Sequence, residues 1–308
     1  MTVVLKTRGL RKTYRETVAL QGLDLEVRKG EVFGFLGPNG AGKTTFTKCV
    51  TGFVRPDAGY VEVAGIDALA HPTKVAHHVG LVPDQYDFYS NLTGRQHLDF
   101  YGRLLGMSAS DRRSRIDEVL ALVRMEERAD TRTKSYSHGM KQRICIAQAI
   151  LHQPDLVFFD EPTNGLDPKG AYELREMIRG LSRDGTTVFL NSHLLTEVQE
   201  TCERVAIVQK GKVITTGRVD ELRRKASGKS VEVRLLAAPS RTLLPTLQRA
   251  FPTAGIALSG TQLTASLDET KVPDFVERIV VGGGRITSVS ADLASLEDVF
   301  LEVTGGAV

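Results

Sequence analysis

Three short stretches of this chain hold residues whose types and spacing could do chemistry. The first is GPNGAGKT, residues 37–44. Glycines at this spacing let backbone N–H groups turn inward around phosphate oxygens, and a helix N-terminus behind them adds positive dipole. Gly37, Pro38, Asn39, Gly40, Ala41 and Gly42 form the loop, with Thr45 just beyond. Lys43 is placed to reach β- and γ-phosphates, and the Thr44 hydroxyl suits Mg2+. The second stretch is LVFFDE, residues 156–161. Four apolar residues deliver two carboxylates to the C-terminal edge of a strand, where α/β sheets bind ligands. Asp160 is expected to hold Mg2+, partly through water, and Glu161 to polarise an attacking water. The third is YSHGMKQR, residues 136–143, where Ser137 beside His138 invites comparison with a nucleophilic dyad. Adjacent side chains on an extended or turning backbone point apart, however, and no G-x-S-x-G elbow surrounds them. Ser137 instead precedes a helical run and reads as its N-cap.

These residues need a scaffold. The run EVFGFL (31–36) reads as a buried strand before the glycine loop, and a helix is expected from Lys43 to about Val50. Strands are expected at 2–5, 23–27 and 59–63 as well. From residue 93 the pattern turns helical. Thr93 and Gln96 fit a capping box, and Leu98, Tyr101, Leu104 and Leu105 recur at helical spacing. Ile116, Val119, Leu120 and Val123 mark a second helix. Strand–helix alternation then resumes with a helix at 138–152, a strand at 156–160, a helix at 170–183, a strand at 186–192, a helix at 194–201 and a strand at 204–209. This order predicts an α/β fold with one mostly parallel sheet carrying helices on both faces.

Past residue 222 the composition shifts, and the basic run RRKASGKS (223–230) reads as a flexible linker. Beyond it come a strand (231–237), a helix (241–250), two strands around Ser259-Gly260, a helix (271–281) and a strand (285–290). That β-α-β-β-α-β order is ferredoxin-like. A last helix starts at Ser295, with Asp298 three residues on. The expected organisation is therefore an α/β domain over 1–222 with a helical subdomain at about 93–150, a linker, and a small accessory domain over 231–308.

Bulk properties narrow the function classes. The chain has 308 residues, 25% of them charged, with a net charge of +3, which gives no basic excess to hold nucleic acid. Its three cysteines, Cys49, Cys145 and Cys202, show no CxxC spacing and read as reduced thiols of a cytosolic protein. The opening MTVVLKTRGL has no apolar core of a signal peptide. No stretch approaches the roughly 20 apolar residues that a bilayer span needs. His71, His77 and His78 cluster in sequence without a flanking carboxylate, so a metal site is not expected there.

In these motifs and their order the chain resembles the ATP-binding subunits of ABC transporters over residues 1 to about 220. The glycine loop matches the family's P-loop. Tyr136, Ser137, His138, Gly139 and Met140 correspond to its LSGGQ signature, and Asp167 in NGLDP to its D-loop. His193 in NSH corresponds to its switch histidine, and Tyr14 to its adenine-stacking aromatic. The resemblance implies a P-loop ATPase fold of ABC type with a helical subdomain. It implies ATP and Mg2+ as cofactors, Glu161, His193 and Lys43 as catalytic residues, and a head-to-tail homodimer. In that dimer each ATP lies between one subunit's P-loop and the other's signature. It implies too a separate transmembrane permease, docked on the helical block at 93–135 and the Q-loop, and a place at the inner face of the cell membrane. The ending SLEDVFLEVTG is similar to that of ABC-2-type exporters.

Two positions depart from the pattern. His138 stands where the family has the first signature glycine, so a non-glycine must adopt whatever backbone that turn needs, and histidine tolerates left-handed conformations better than most residues. In the Q-loop, GLVPDQYDF, Asp84 follows the proline and Gln85 comes one later, so either could serve the Q-loop role. Rival readings are an ABC ATPase acting on ribosomes or nucleic acid, and a nucleotide-binding regulator without turnover. The single ATPase domain and short helical block speak against the first, and Glu161 against the second.

Overall fold

The computed structural model describes residues 2–226, 230–267, 269–292 and 294–304. The chain divides into two compact units between Arg218 and Val219. The first unit opens with β1 (Val3–Tyr14), β2 (Thr17–Arg28), β3 (Val32–Leu36), α1 (Lys43–Val50), β4 (Ala58–Val63), β5 (Ile66–Asp67), α2 (Pro72–Ala76) and β6 (Val79–Val82). Three helices follow: α3 (Gly94–Leu104), α4 (Ala109–Leu122) and α5 (His138–Ile150). It closes with β7 (Leu156–Asp160), α6 (Pro168–Arg183), β8 (Thr187–Ser192), α7 (Leu195–Thr201), β9 (Arg204–Gln209) and β10 (Lys212–Arg218).

The expected mostly parallel sheet forms, and the first unit holds a second sheet beside it. One has the order β10-β9-β3-β8-β7-β6, parallel throughout except for β10. The other, β2-β1-β4-β5, is antiparallel. Its strands β1 and β2 are far longer than the short segments expected. They form a hairpin in which Tyr14 pairs with Thr17, and the turn places Arg15 at φ 53°. Half-buried alternation along β1 conceals this partner-dependent pairing from a local reading.

Helix α1 binds the two sheets through a common core. Phe46 stacks on Phe35 (4.8 Å between ring centroids) and Phe189 (5.5 Å) of the parallel sheet. Leu5, Leu10, Leu20, Leu23 and Val61 of the antiparallel sheet join the same buried cluster. This packing fixes the N-terminus of α1, and with it the glycine loop. In the helical block, Thr93 Oγ1 accepts from the Gln96 N–H at 3.2 Å, and Gln96 Oε1 accepts from the Thr93 N–H at 2.9 Å, so the capping box forms.

The second unit comprises α8 (Val219–Ala226), β11 (Ser230–Leu235), α9 (Leu243–Ala250), β12 (Ala257–Ser259), β13 (Gln262–Ser266), α10 (Val272–Val281), β14 (Ile286–Asp292) and α11 (Leu296–Thr304). Its sheet order, β12-β13-β11-β14, is antiparallel at every pairing, the arrangement of a ferredoxin-like sheet. Its core holds Val233, Leu247, Leu263, Phe275 and Ile279. The expected linker at 223–230 is partly overturned. Residues 223–226 belong to α8, whose Val219 and Leu222 are buried. Arg223 Nε donates to the Ala294 carbonyl at 2.8 Å, beside α11. Acidic residues in the first turn of α8 and basic ones in its last complement the helix dipole, so the basic run caps a helix. Residues 227–229 of that expected linker lie outside the described residues.

Candidate functional site

The glycine loop leaves β3 and turns into α1 through conformations that side chains disfavour. Gly42 lies at φ 104°, and a Cβ there would come within 2.5 Å of the Ala19 carbonyl oxygen. At Gly37 a Cβ would meet the Val208 carbonyl oxygen at 2.3 Å. The loop is therefore wedged against β2 and β9, and only glycine fits at either end. Ala41 is buried, its N–H donating to Pro38 O at 3.1 Å and its carbonyl accepting from the Gly211 N–H at 2.9 Å.

Around this loop lies a cleft of about 760 Å³. Pro38, Asn39, Gly40, Gly42, Lys43, Thr44 and Thr45 line it, together with Asp84, Gln85, Asp160, Glu161, Asn164 and His193. Residues distant in sequence thus converge because β3, β7 and β8 are neighbours and end at one edge. Lys43 is buried and donates from Nζ to the Gly37 carbonyl at 2.6 Å. It lies 3.4 Å from Glu161 Oε1. Glu161 Oε2 accepts from the His193 N–H at 3.2 Å and lies 2.7 Å from His193 Nδ1. A carboxylate only accepts, so this contact puts the proton on Nδ1 and leaves Nε2 as the free ring nitrogen. Glu161 itself sits at φ 48°, in the left-handed region that non-glycine residues avoid. Its N–H donates to Asn191 O at 2.9 Å.

Asp160 ends β7, buried beside Asn191, whose Nδ2 donates to Asp160 Oδ1 at 3.3 Å and to Thr47 Oγ1 at 2.7 Å. Burial raises the Asp160 pKa. The Asn191 hydrogen bond and Lys43 pull it down, while Glu161 and Asp84 push it up. Asp84 Oδ1 accepts from Asn164 Nδ2 at 3.1 Å, which ties the Q-loop to the segment after Glu161; Gln85 lines the cleft beside it. Tyr14 is outside the cleft lining and 43% exposed, but its strand partner Thr17 lines the cleft, and Lys12 Nζ stands 5.5 Å from its ring centroid.

The signature residues gather elsewhere. Ser137, His138, Gly139, Met140, Gly165 and Asp167 line a second cleft of about 510 Å³. Ser137 caps α5, its Oγ accepting from the Met140 N–H at 3.3 Å, which is a structural use and not that of a nucleophile. Asp167 caps α6 through the Gly170 N–H at 2.8 Å. The turn asks no special backbone of His138. His138 is the first helical residue of α5 and is absent from the described residues with positive φ, so its backbone is one that any residue adopts.

Asn164 lines the cleft, and Asn191, Thr47 and Glu197 hold its residues from behind; the sequence reading missed all four. Asn191 and Ser192 stand in the same NSH stretch as His193, and a polar pair ending an apolar strand is the signal that could have found them. Ser192 Oγ donates to buried Glu197 at 2.7 Å and accepts from the Leu194 N–H at 3.0 Å, which holds the turn carrying His193. Burial raises the Glu197 pKa. His78, read as lacking a carboxylate neighbour, has one in space: its Nδ1 lies 2.8 Å from Asp155 Oδ2. The three cysteines are buried and free.

Comparison with known proteins places this geometry. Residues 20–164 match the family described as ABC transporter, and residues 217–304 match the C-terminal domain described as ATP-binding protein DrrA1-3-like. The chain is 34% identical to the daunorubicin resistance ATP-binding protein DrrA3 of Streptomyces coeruleorubidus, covering 96% of this chain and 94% of that one. It is 30% identical to the bacitracin transport ATP-binding protein BcrA of Bacillus licheniformis, covering 99% of each. Among solved structures, the dimeric post-hydrolysis state of the ATP-binding cassette MJ0796 bound to ADP and Pi superposes with a TM-score of 0.63. It is 26% identical and covers 70% of this chain and 98% of that one.

Proposed function

The chain belongs to the ATP-binding subunits of ABC transporters, and from that premise we propose that it hydrolyses ATP as one half of a head-to-tail homodimer that drives a separate export permease. One observation carries the reading. Lys43, Glu161 and His193 meet in the first cleft, whereas the capped N-terminus at Ser137 opens a different one. A phosphate held by the loop of one copy then meets the α5 N-terminus of another, the kind of end that binds anions.

In this arrangement the loop N–H groups and Lys43 hold the β- and γ-phosphates. Glu161 orients a water and takes its proton as the water oxygen attacks the γ-phosphorus and the bond to ADP breaks. His193 fixes Glu161 through Nδ1. Thr44 and Asp160 line the same cleft with oxygen donors that fit Mg2+, which when bound neutralises charge on the phosphate oxygens. The catalysis is positioning and charge stabilisation. Tyr14, at the rim beside Thr17, stacks the adenine. Binding of two ATPs closes the dimer, and hydrolysis releases it.

The export direction draws on the relatives named for daunorubicin resistance and bacitracin transport. No helix among the described residues is long and apolar enough to cross a membrane. The subunit therefore reaches the inner face of the cell membrane through its permease, docked on the helical block and Q-loop, where Tyr89 (59%) and Leu104 (67%) are exposed. Phosphate release tests the reading. Glu161→Gln is expected to lower turnover by about a hundredfold or more while ATP-bound dimers accumulate in light scattering. Equal turnover in the two proteins overturns it.

A further inference from the structure

The Q-loop and the signature helix are joined by a run of rings that the nucleotide chemistry does not use. Tyr86, next after Gln85, stacks on His138 with centroids 5.8 Å apart and planes at 26°. Its hydroxyl also reaches the His138 carbonyl at 3.5 Å. Tyr86 meets Phe88 edge-on at 5.8 Å, and Phe88 lies 4.6 Å from buried His97. His97 Nε2 in turn lies 2.9 Å from Gln148 Oε1. His138 opens α5, and Gln148 stands near its other end, about 15 Å along the axis. The segment 86–88 is thus fastened to α5 directly at Tyr86 and, at Phe88, only through His97 of α3. His138 also lines the signature cleft together with Gly165. A glycine at position 138 would give the Tyr86 ring nothing to pack on.

We propose that His138 is a positioning residue, an aromatic clasp through which Tyr86 holds the N-terminus of α5, and with it Ser137, in register. The histidine in place of glycine then serves as a contact through which displacement of the Q-loop is felt at the signature. The functional part of this inference rests on the reading that Ser137 faces a phosphate held by the opposite subunit. A ring pair of this kind modulates an equilibrium by about two- to tenfold.

The test is a double-mutant cycle in the full chain with two readouts. The first is hydrogen exchange, corrected for intrinsic rates, at the amides of Met140, Lys141 and Gln142. Tyr86→Leu and His138→Ala are each expected to speed it by about two- to tenfold. The double variant should exchange no faster than the faster single, and Tyr86→Phe and His138→Phe, which keep the rings, should match the parent. The second readout is ATP-driven dimerisation on a Glu161→Gln background. It should weaken in the same pattern, with the ATP affinity of the P-loop unchanged in Tyr86→Leu. Unchanged exchange in Tyr86→Leu, effects that multiply in the double variant, or His138→Phe as fast as His138→Ala would each overturn the clasp. A parent that forms no dimer with ATP, beside an exchange pattern as expected, would overturn the opposed-subunit reading and leave the clasp standing.

Discussion

The two clefts of the first unit differ in kind. The P-loop cleft gathers Lys43, Asp160, Glu161 and His193, with Glu161 bridging Lys43 and His193 and Asp160 held by Asn191. The signature cleft offers a helix N-terminus capped by Ser137, and its Glu173 is neutralised by Arg143 Nη2 at 2.6 Å. On the proposed reading, one cleft has the groups that bind and cleave, and the other a pole for an anion and no reacting group. The difference then teaches that a chain could hold every part of a phosphoryl-transfer site and complete it only with a second copy, whose signature cleft opposes the first copy's P-loop.

That contrast can be broken at three points, from the largest effect down. Lys43→Ala removes the cation that faces the phosphates and should lower ATP affinity by about a hundredfold or more in calorimetry, since charge-assisted contacts are the strong ones. An unchanged affinity would mean that the first cleft does not bind nucleotide. Ser137→Ala should leave the second cleft's deficit visible only in the pair. ATP affinity of the isolated subunit should hold, while dimer formation weakens by about fivefold, the scale of a lost cap of about 1 kcal/mol. Loss of affinity in the monomer would merge the two clefts into one site.

The smallest effect is read as a trend with pH. Burial raises the folded pKa of Asp160, so the folded protein holds that proton more tightly than the unfolded chain. Stability from this group is present at low pH and is lost as pH rises from the ordinary value of 3.8 through the raised one. Asp160→Asn lacks that loss. With chelator present, the variant's melting temperature should gain on the parent's as pH climbs from about 4.5 to 7.5. A parent that gains instead would show that Asn191 and Lys43 outweigh burial.

Much of the site was legible in the sequence because it is local. A glycine loop, a strand ending in two carboxylates and a histidine after a polar strand end are each set by a few consecutive residues. What escaped was set by partners far away. The hairpin β1–β2 and its pairing with β4 depend on contacts that no window of sequence contains. Residues 223–226 look like a solvated basic linker until Val219 and Leu222 are seen buried beneath them. Asn191 passes for a strand end until Asp160 and Thr47 arrive from other elements. His138 seemed a question of backbone, and the structure turns it into one of packing against Tyr86.

The left-handed backbone of Glu161 sets a direction for evolutionary drift. A non-glycine residue held there costs about 1–2 kcal/mol. Glycine at that position would relieve the cost and delete the carboxylate in one substitution. Selection for a sturdier fold and selection for turnover therefore pull this single codon in opposite directions. If Glu161 serves as proposed, a descendant freed from the need to hydrolyse ATP would gain stability by replacing it with glycine.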